Sequence, residues 1–136
     1  MERHFGRRIA ELSPISSFLD DASNSLGLDS GIRFALNMAV EELYTNMVKY
    51  NETGADDILV RVQVQDQRLV IDLIDFDSQP FEFDQRAEID IKAGLHERKP
   101  GGLGIHLIKR YMDDINYEFE DGKTSIRLVK NLKTHA

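Results

Sequence analysis

Cysteine is absent from the 136 residues, so disulfides and thiolate metal sites are both excluded. No apolar run approaches the roughly 20 residues that a membrane-crossing helix needs. The opening MERHFGRRIAEL also lacks the apolar stretch of a secretory signal, so a cytoplasmic address without membrane association is expected. His4, His96, His106 and His135 fall in no H-E-x-x-H or other ligand spacing and are read as surface or loop residues. No G-x-S-x-G elbow offers a hydrolase nucleophile, and neither an internal repeat nor a low-complexity segment is present. A basic patch is missing too. Against 17 Lys and Arg stand 24 Asp and Glu, a net charge of −7 whose sign repels phosphate backbones, so nucleic acid is not an expected partner.

What is present suits a folded chain. Hydrophobic residues make up 41% and charged residues 30%, an ordinary globular balance. A chain of this length buries roughly two-thirds of its unfolded surface in one core, so residues 1–136 are expected to form a single domain. Phe5, Ile9 and Leu12 among arginines give a weak strand signal at the start. Ser13 and Pro14 have the chemistry of a helix cap and first helical position, with Ile15, Phe18, Leu19, Ala22 and Leu26 at helical spacing up to Gly27. Ser30 is the expected cap of a second helix to about Tyr50, along which Ala35, Met38, Ala39, Leu43 and Met47 hold the three-and-four spacing. From Ile58 the period switches to two. Ile58, Val60, Val62 and Val64, then Leu69, Ile71 and Leu73 beyond Asp66-Gln67-Arg68, predict an antiparallel pair with one buried face.

Residues 75 to 100 hold Pro80, Gly94, Pro100 and many charges, a length that suits a functional loop or lid. A third helix after Gly104 and a closing hairpin through Ile115, Tyr117, Phe119, Gly122, Ile126 and Leu128 complete the chain. Hairpin-linked strands with helices gathered on one face predict an α+β two-layer sandwich with a mostly antiparallel sheet.

Three features carry chemistry. Glu42 and Asn46, four apart, continue the apolar row of the second helix, and a carboxylate there calls for a metal, a water or a hydrogen-bonding network; a solvated edge of the stripe is the plain alternative, with Glu41 pointing outward. In KPGGLGIHLIKR, Gly101, Gly102 and Gly104 precede a helix whose first N–H groups favour an anion such as phosphate, or they are simply a steric solution to entering the helix. The run is neither G-x-G-x-x-G after a strand nor a Walker A loop. Asp75, closing the strand in LIDFDSQPF, can accept from a ligand amine or cap a turn. The pairs Asp20-Asp21, Asp56-Asp57 and Asp113-Asp114 are read as solvated faces or helix ends.

Together, EELYTN on a helix, an Asp closing a strand and GGLGIHL opening a later helix resemble the Bergerat-type ATP-binding superfamily of gyrase, heat-shock chaperone, histidine kinase and mismatch-repair ATPases. The short length, PFEFD after the Asp and the tail through DGKTSIRLVK look most like bacterial anti-sigma-factor serine/threonine kinases. The resemblance implies Glu42 as general base, Asn46 as ligand of a phosphate-bridging Mg²⁺, and Asp75 as reader of adenine. It implies Gly101, Gly102 and Gly104 as the box meeting the phosphates, with Thr45, Arg98 and Lys99 as further nucleotide contacts. It further implies ATP and Mg²⁺ as cofactors, a sigma factor and a STAS-domain anti-anti-sigma antagonist as partners, and a homodimer. The pattern departs at Asp75-Phe76-Asp77, where the family shows Asp-x-Gly, and Tyr50 stands where many relatives carry histidine. That departure motivates one alternative, a partner-switching binding protein with weak or no nucleotide use; a detached histidine-kinase catalytic domain is a further reading.

Overall fold

The computed structural model describes residues 1–50, 57–76 and 108–132. Strand β1 (Glu2–Phe5) leads through a 3-10 turn (Ile9–Glu11) into helix α1 (Leu12–Leu26) and helix α2 (Ser30–Tyr50). The hairpin β2 (Ile58–Gln65) and β3 (Arg68–Asp75) follows, and the hairpin β4 (Asp114–Glu120) and β5 (Lys123–Asn131) closes the fold. Residues 108–111, just before β4, are helical. The sheet order is β1-β2-β3-β5-β4, with every neighbouring pair antiparallel, which gives the expected α+β arrangement.

Both helices begin elsewhere than their serines suggest. The 3-10 turn runs straight into α1 at Leu12, so Pro14 sits in the first turn, where its missing N–H costs no intrahelical bond. For α2 the cap is Asp29, whose Oδ1 accepts from the Ile32 N–H at 2.9 Å. A carboxylate there is favoured over the serine because it also meets the positive end of the helix dipole. Gly27 closes α1 in the left-handed conformation at φ 68°, while the Leu28 N–H returns to the Ser23 carbonyl at 3.0 Å.

Ile15, Leu19, Leu36, Val40, Leu43 and Tyr44 from the helices pack on Ile58, Val60, Val62, Ile71, Leu73, Ile126 and Leu128 from the sheet. Ile108 and Met112 join the same core. The registers Val60↔Leu73↔Ile126 and Ile58↔Asp75↔Thr124 put Asp75 on this helix-covered face, at the end where α2 meets the strands.

The reverse face is not simply solvated. Leu59, Val70 and Asp72 are also buried, which corrects the expectation of one buried face. Charged side chains form a rung across four strands there. Arg61 Nε meets Glu2 Oε1 at 2.9 Å, Arg61 Nη1 lies 3.8 Å from Asp72 Oδ2, and Arg127 holds Asp72 bidentately at 2.7 and 3.2 Å. Their aliphatic stems cover the middle of the sheet while the heads pair.

Candidate active site

Helix α2 carries the polar pair along one edge of its buried arc. Asn46 is buried, and its Nδ2 donates to Glu42 Oε2 at 3.1 Å, the i, i+4 contact that a helix face supplies. Donating through Nδ2 turns Oδ1, a hard oxygen suited to Mg²⁺, away from the glutamate. Glu42 is half-buried. Burial pushes its carboxyl above the usual range, while the Asn46 hydrogen bond and Lys49 pull it back. A carboxyl kept basic in this way suits proton abstraction better than a fully solvated one.

Glu42 and Thr45 open onto a cleft of about 530 Å³, shared with Leu12, Phe34, Met38 and Glu41. Glu41, partly exposed, lines the same open cleft beside Glu42. On the cleft side, Phe34 is an exposed aromatic, set edge-on to Tyr111 at 6.4 Å between ring centres.

Asp75 lies elsewhere on the same layer boundary and is committed to a partner. Arg7 Nη1 donates to its Oδ2 at 2.9 Å and Nη2 pairs with its Oδ1, with side-chain exposures of only 4% and 2%. The chain around Arg7 is fixed by Tyr44, one residue from Thr45. The Tyr44 hydroxyl reaches the carbonyls of Gly6 and Arg8, the latter at 2.8 Å, and accepts from the Arg8 N–H at 3.1 Å. Gly6 in turn donates its N–H to Glu11 at 2.8 Å, and a Cβ on Gly6 would stand 3.0 Å from that same carboxylate oxygen.

Sequence reasoning missed Arg7 and Tyr44. The available signals were a hydroxyl in the buried row of α2 and an arginine two positions beyond the buried Phe5. Gly101, Gly102, Gly104, Arg98, Lys99 and Asp77 lie outside the described residues, as does the side chain of Tyr50. Of the histidines only His4 is described, exposed and stacked on Phe76 at 6.3 Å. Among the described residues no helix is long and apolar enough to cross a membrane.

The family model of the histidine kinase-like ATPase domain matches residues 5–130. The serine-protein kinase RsbW of Bacillus velezensis is 30% identical over 96 residues, covering 65% of this chain and 59% of that protein. The RsbW of Listeria monocytogenes is 29% identical over 93 residues, with 64% and 59% covered. The chain therefore spans less than two-thirds of the length of these relatives. Among solved structures, the SiaB-SiaC complex from Pseudomonas aeruginosa matches with a TM-score of 0.66 at 12% identity, over 95% of this chain and 88% of that one. The Acinetobacter baumannii histidine kinase AdeS matches with a TM-score of 0.57 at 13% identity, over 98% and 68%. These last two likenesses speak for the fold alone. With the family model spanning β1 to β5, this chain belongs to the histidine kinase-like ATPase domain family.

Proposed function

We propose that the chain binds ATP with Mg²⁺ and transfers the γ-phosphoryl group to a serine or threonine of a STAS-domain anti-anti-sigma partner, controlling the availability of a sigma factor it also holds. The observation that carries this is the Glu42–Asn46 pair, a half-buried carboxylate made more basic by burial and fixed by a buried amide, beside an open cleft. The similarity to RsbW, a serine-protein kinase, supports the substrate class. In the transfer, Glu42 takes the hydroxyl proton as that oxygen bonds to the γ-phosphorus. The bond to the β–γ bridging oxygen breaks, and ADP leaves with that electron pair. Asn46 Oδ1 would hold Mg²⁺, which when bound neutralises phosphate charge. Asp75 would accept from the adenine amino group. Gly101, Gly102 and Gly104, with Thr45, Arg98 and Lys99, would meet the phosphates.

The test mixes the purified protein with radiolabelled ATP, Mg²⁺ and the STAS-domain protein. Glu42→Gln is expected to lower transfer by about 10²- to 10⁴-fold, the usual contribution of a positioned base, while nucleotide binding persists. Equal transfer by both proteins would remove Glu42 as the base, and none by the wild type would remove the kinase assignment. Acid-stable product distinguishes serine or threonine phosphate from the histidine phosphate of a detached histidine-kinase domain.

A second proposal, a non-catalytic partner-switching protein, draws on the Arg7–Asp75 ion pair, which occupies the adenine-reading carboxylate. Calorimetry separates the two, since micromolar ATP binding lost in Asp75→Asn contradicts the non-catalytic version. The family resemblance also motivates a cytoplasmic homodimer, with residues 1–136 as one domain; light scattering of the purified chain tests the dimer.

A further inference from the structure

Resting on the assignment of Asp75 as the adenine reader, we propose that Arg7 is a built-in competitor for that carboxylate and sets the nucleotide affinity of the chain. An Arg–carboxylate fork uses both oxygens in one plane, the strongest and most directional ion pair a protein side chain can make. Here the fork is complete, and both side chains are almost wholly shielded from solvent. Each oxygen keeps a second lone pair, but with the pair this shielded from solvent a ligand amine is expected to gain Asp75 only as the guanidinium swings off at least one oxygen.

Arg7 is also aimed. The segment from Gly6 to Arg8 is fastened by the Tyr44 hydroxyl on one side and by Glu11 on the other, so the arginine approaches Asp75 from a fixed backbone. Tyr44 lies on α2 between Glu42 and Asn46, which ties the position of the competitor to the helix that carries the proposed base and metal ligand. Release of Arg7 and occupation of the site are thus coupled through one helix.

The consequence is quantitative. Where the closed pair holds most of the population, the apparent dissociation constant is the intrinsic one divided by the open fraction, so removing the competitor tightens binding by about tenfold or more. Simple electrostatics gives the opposite sign, because deleting a cation near a site for an anionic nucleotide weakens it.

Displacement of a fluorescent ATP analogue, with Mg²⁺ present, decides between these signs. Arg7→Met, which keeps much of the packing volume, is expected to bind ATP about tenfold or more tightly than wild type. Arg7→Lys, able to engage one oxygen at a time, falls between the two. Affinity for GTP, whose base carries a carbonyl in place of the 6-amino group that Asp75 would accept from, stays at its wild-type value. Should Arg7→Met fold poorly, Tyr44→Phe loosens the anchor of the same segment and is expected to tighten ATP binding in the same direction.

Unchanged or weaker ATP binding in the folded Arg7 variants overturns the competitor role. If wild-type binding is meanwhile lost in Asn46→Ala, the nucleotide site itself stands. Equal gains for ATP and GTP overturn competition at the adenine carboxylate. ATP binding by no variant at all overturns the nucleotide site and the competitor together.

Discussion

Tyr44 is fully buried, and its hydroxyl serves three backbone groups of the Gly6–Arg8 segment, so one oxygen joins α2 to the end of β1. Burial pushes the phenol up from its ordinary value, and Glu11 adds to this, while the Arg8 backbone hydrogen bond and the nearby arginines oppose it. The group therefore stays protonated at neutral pH and keeps its donor. Tyr44→Phe retains the ring and removes only that oxygen. The Arg8 N–H still reaches the Gly6 carbonyl and the Glu11 N–H the Arg8 carbonyl, each at 3.0 Å, so both carbonyls keep a partner and only the hydroxyl's own hydrogen bonding is lost. A hydrogen bond of this kind contributes about 0.5–1.5 kcal/mol net, and urea unfolding at neutral pH is expected to show that loss with an unchanged slope. Glu42 and Asn46 were legible in the sequence because two polar residues interrupt an apolar row. Arg7 was not, because its role depends on pairing with a carboxylate 68 positions away, which no local pattern encodes.

The two hairpins make the same turn with different chemistry. Asp66 and Gln67 hold φ of 51° and 61°, Asp121 and Gly122 hold 51° and 77°, and both turns link antiparallel strands through two residues. Such a turn wants glycine in its second position. The β4–β5 hairpin has it, whereas Gln67 adopts the left-handed region with a side chain attached. Gln67 is exposed, and its carbonyl accepts from the Leu132 N–H at 2.9 Å, a backbone contact that glycine keeps. Gln67→Gly is therefore expected to raise stability by about 0.5–1 kcal/mol, the relieved strain exceeding the extra freedom of the unfolded chain. Thermal unfolding checks it, and a loss of stability would mean that the glutamine side chain contributes contacts of its own. The strands of these hairpins were legible from their alternation, and the turn between β2 and β3 from its polar residues. The rung on the reverse face was not. Asp72 reads as an outward polar position in β3, and only the β3–β5 register, setting it opposite Arg127, makes its burial tolerable. The helix starts were misplaced for a related reason, since Ser13 and Ser30 each have good cap chemistry but a preceding 3-10 turn and Asp29 take the position first.

At the scale of the whole molecule, the proposed catalytic carboxylate bears on stability as well as on chemistry. Glu42 sits at the seam between the helix layer and the open cleft, where burial raises its carboxyl above the ordinary value despite Asn46 and Lys49. The unfolded chain releases that proton in the ordinary carboxylate range, near pH 4.3 in model peptides, and the folded chain releases it only at higher pH. Between the two values the folded state binds more protons. Stability therefore falls as pH rises through that window, and the deficit is fully present above the raised value. Glu42→Gln keeps an oxygen for the Asn46 amide and removes the charge. The variant is expected to melt higher than wild type at neutral pH, with the difference closing as pH falls below the ordinary carboxylate range, where both side chains are neutral. Melting curves of both proteins from about pH 3 to about pH 8 measure it. A difference that stays constant across the range would assign the effect to packing and not to ionisation. The same substitution is expected to abolish most phosphoryl transfer, so one side chain would be seen to lower stability while raising activity, the trade expected of a charge held half-buried for chemistry.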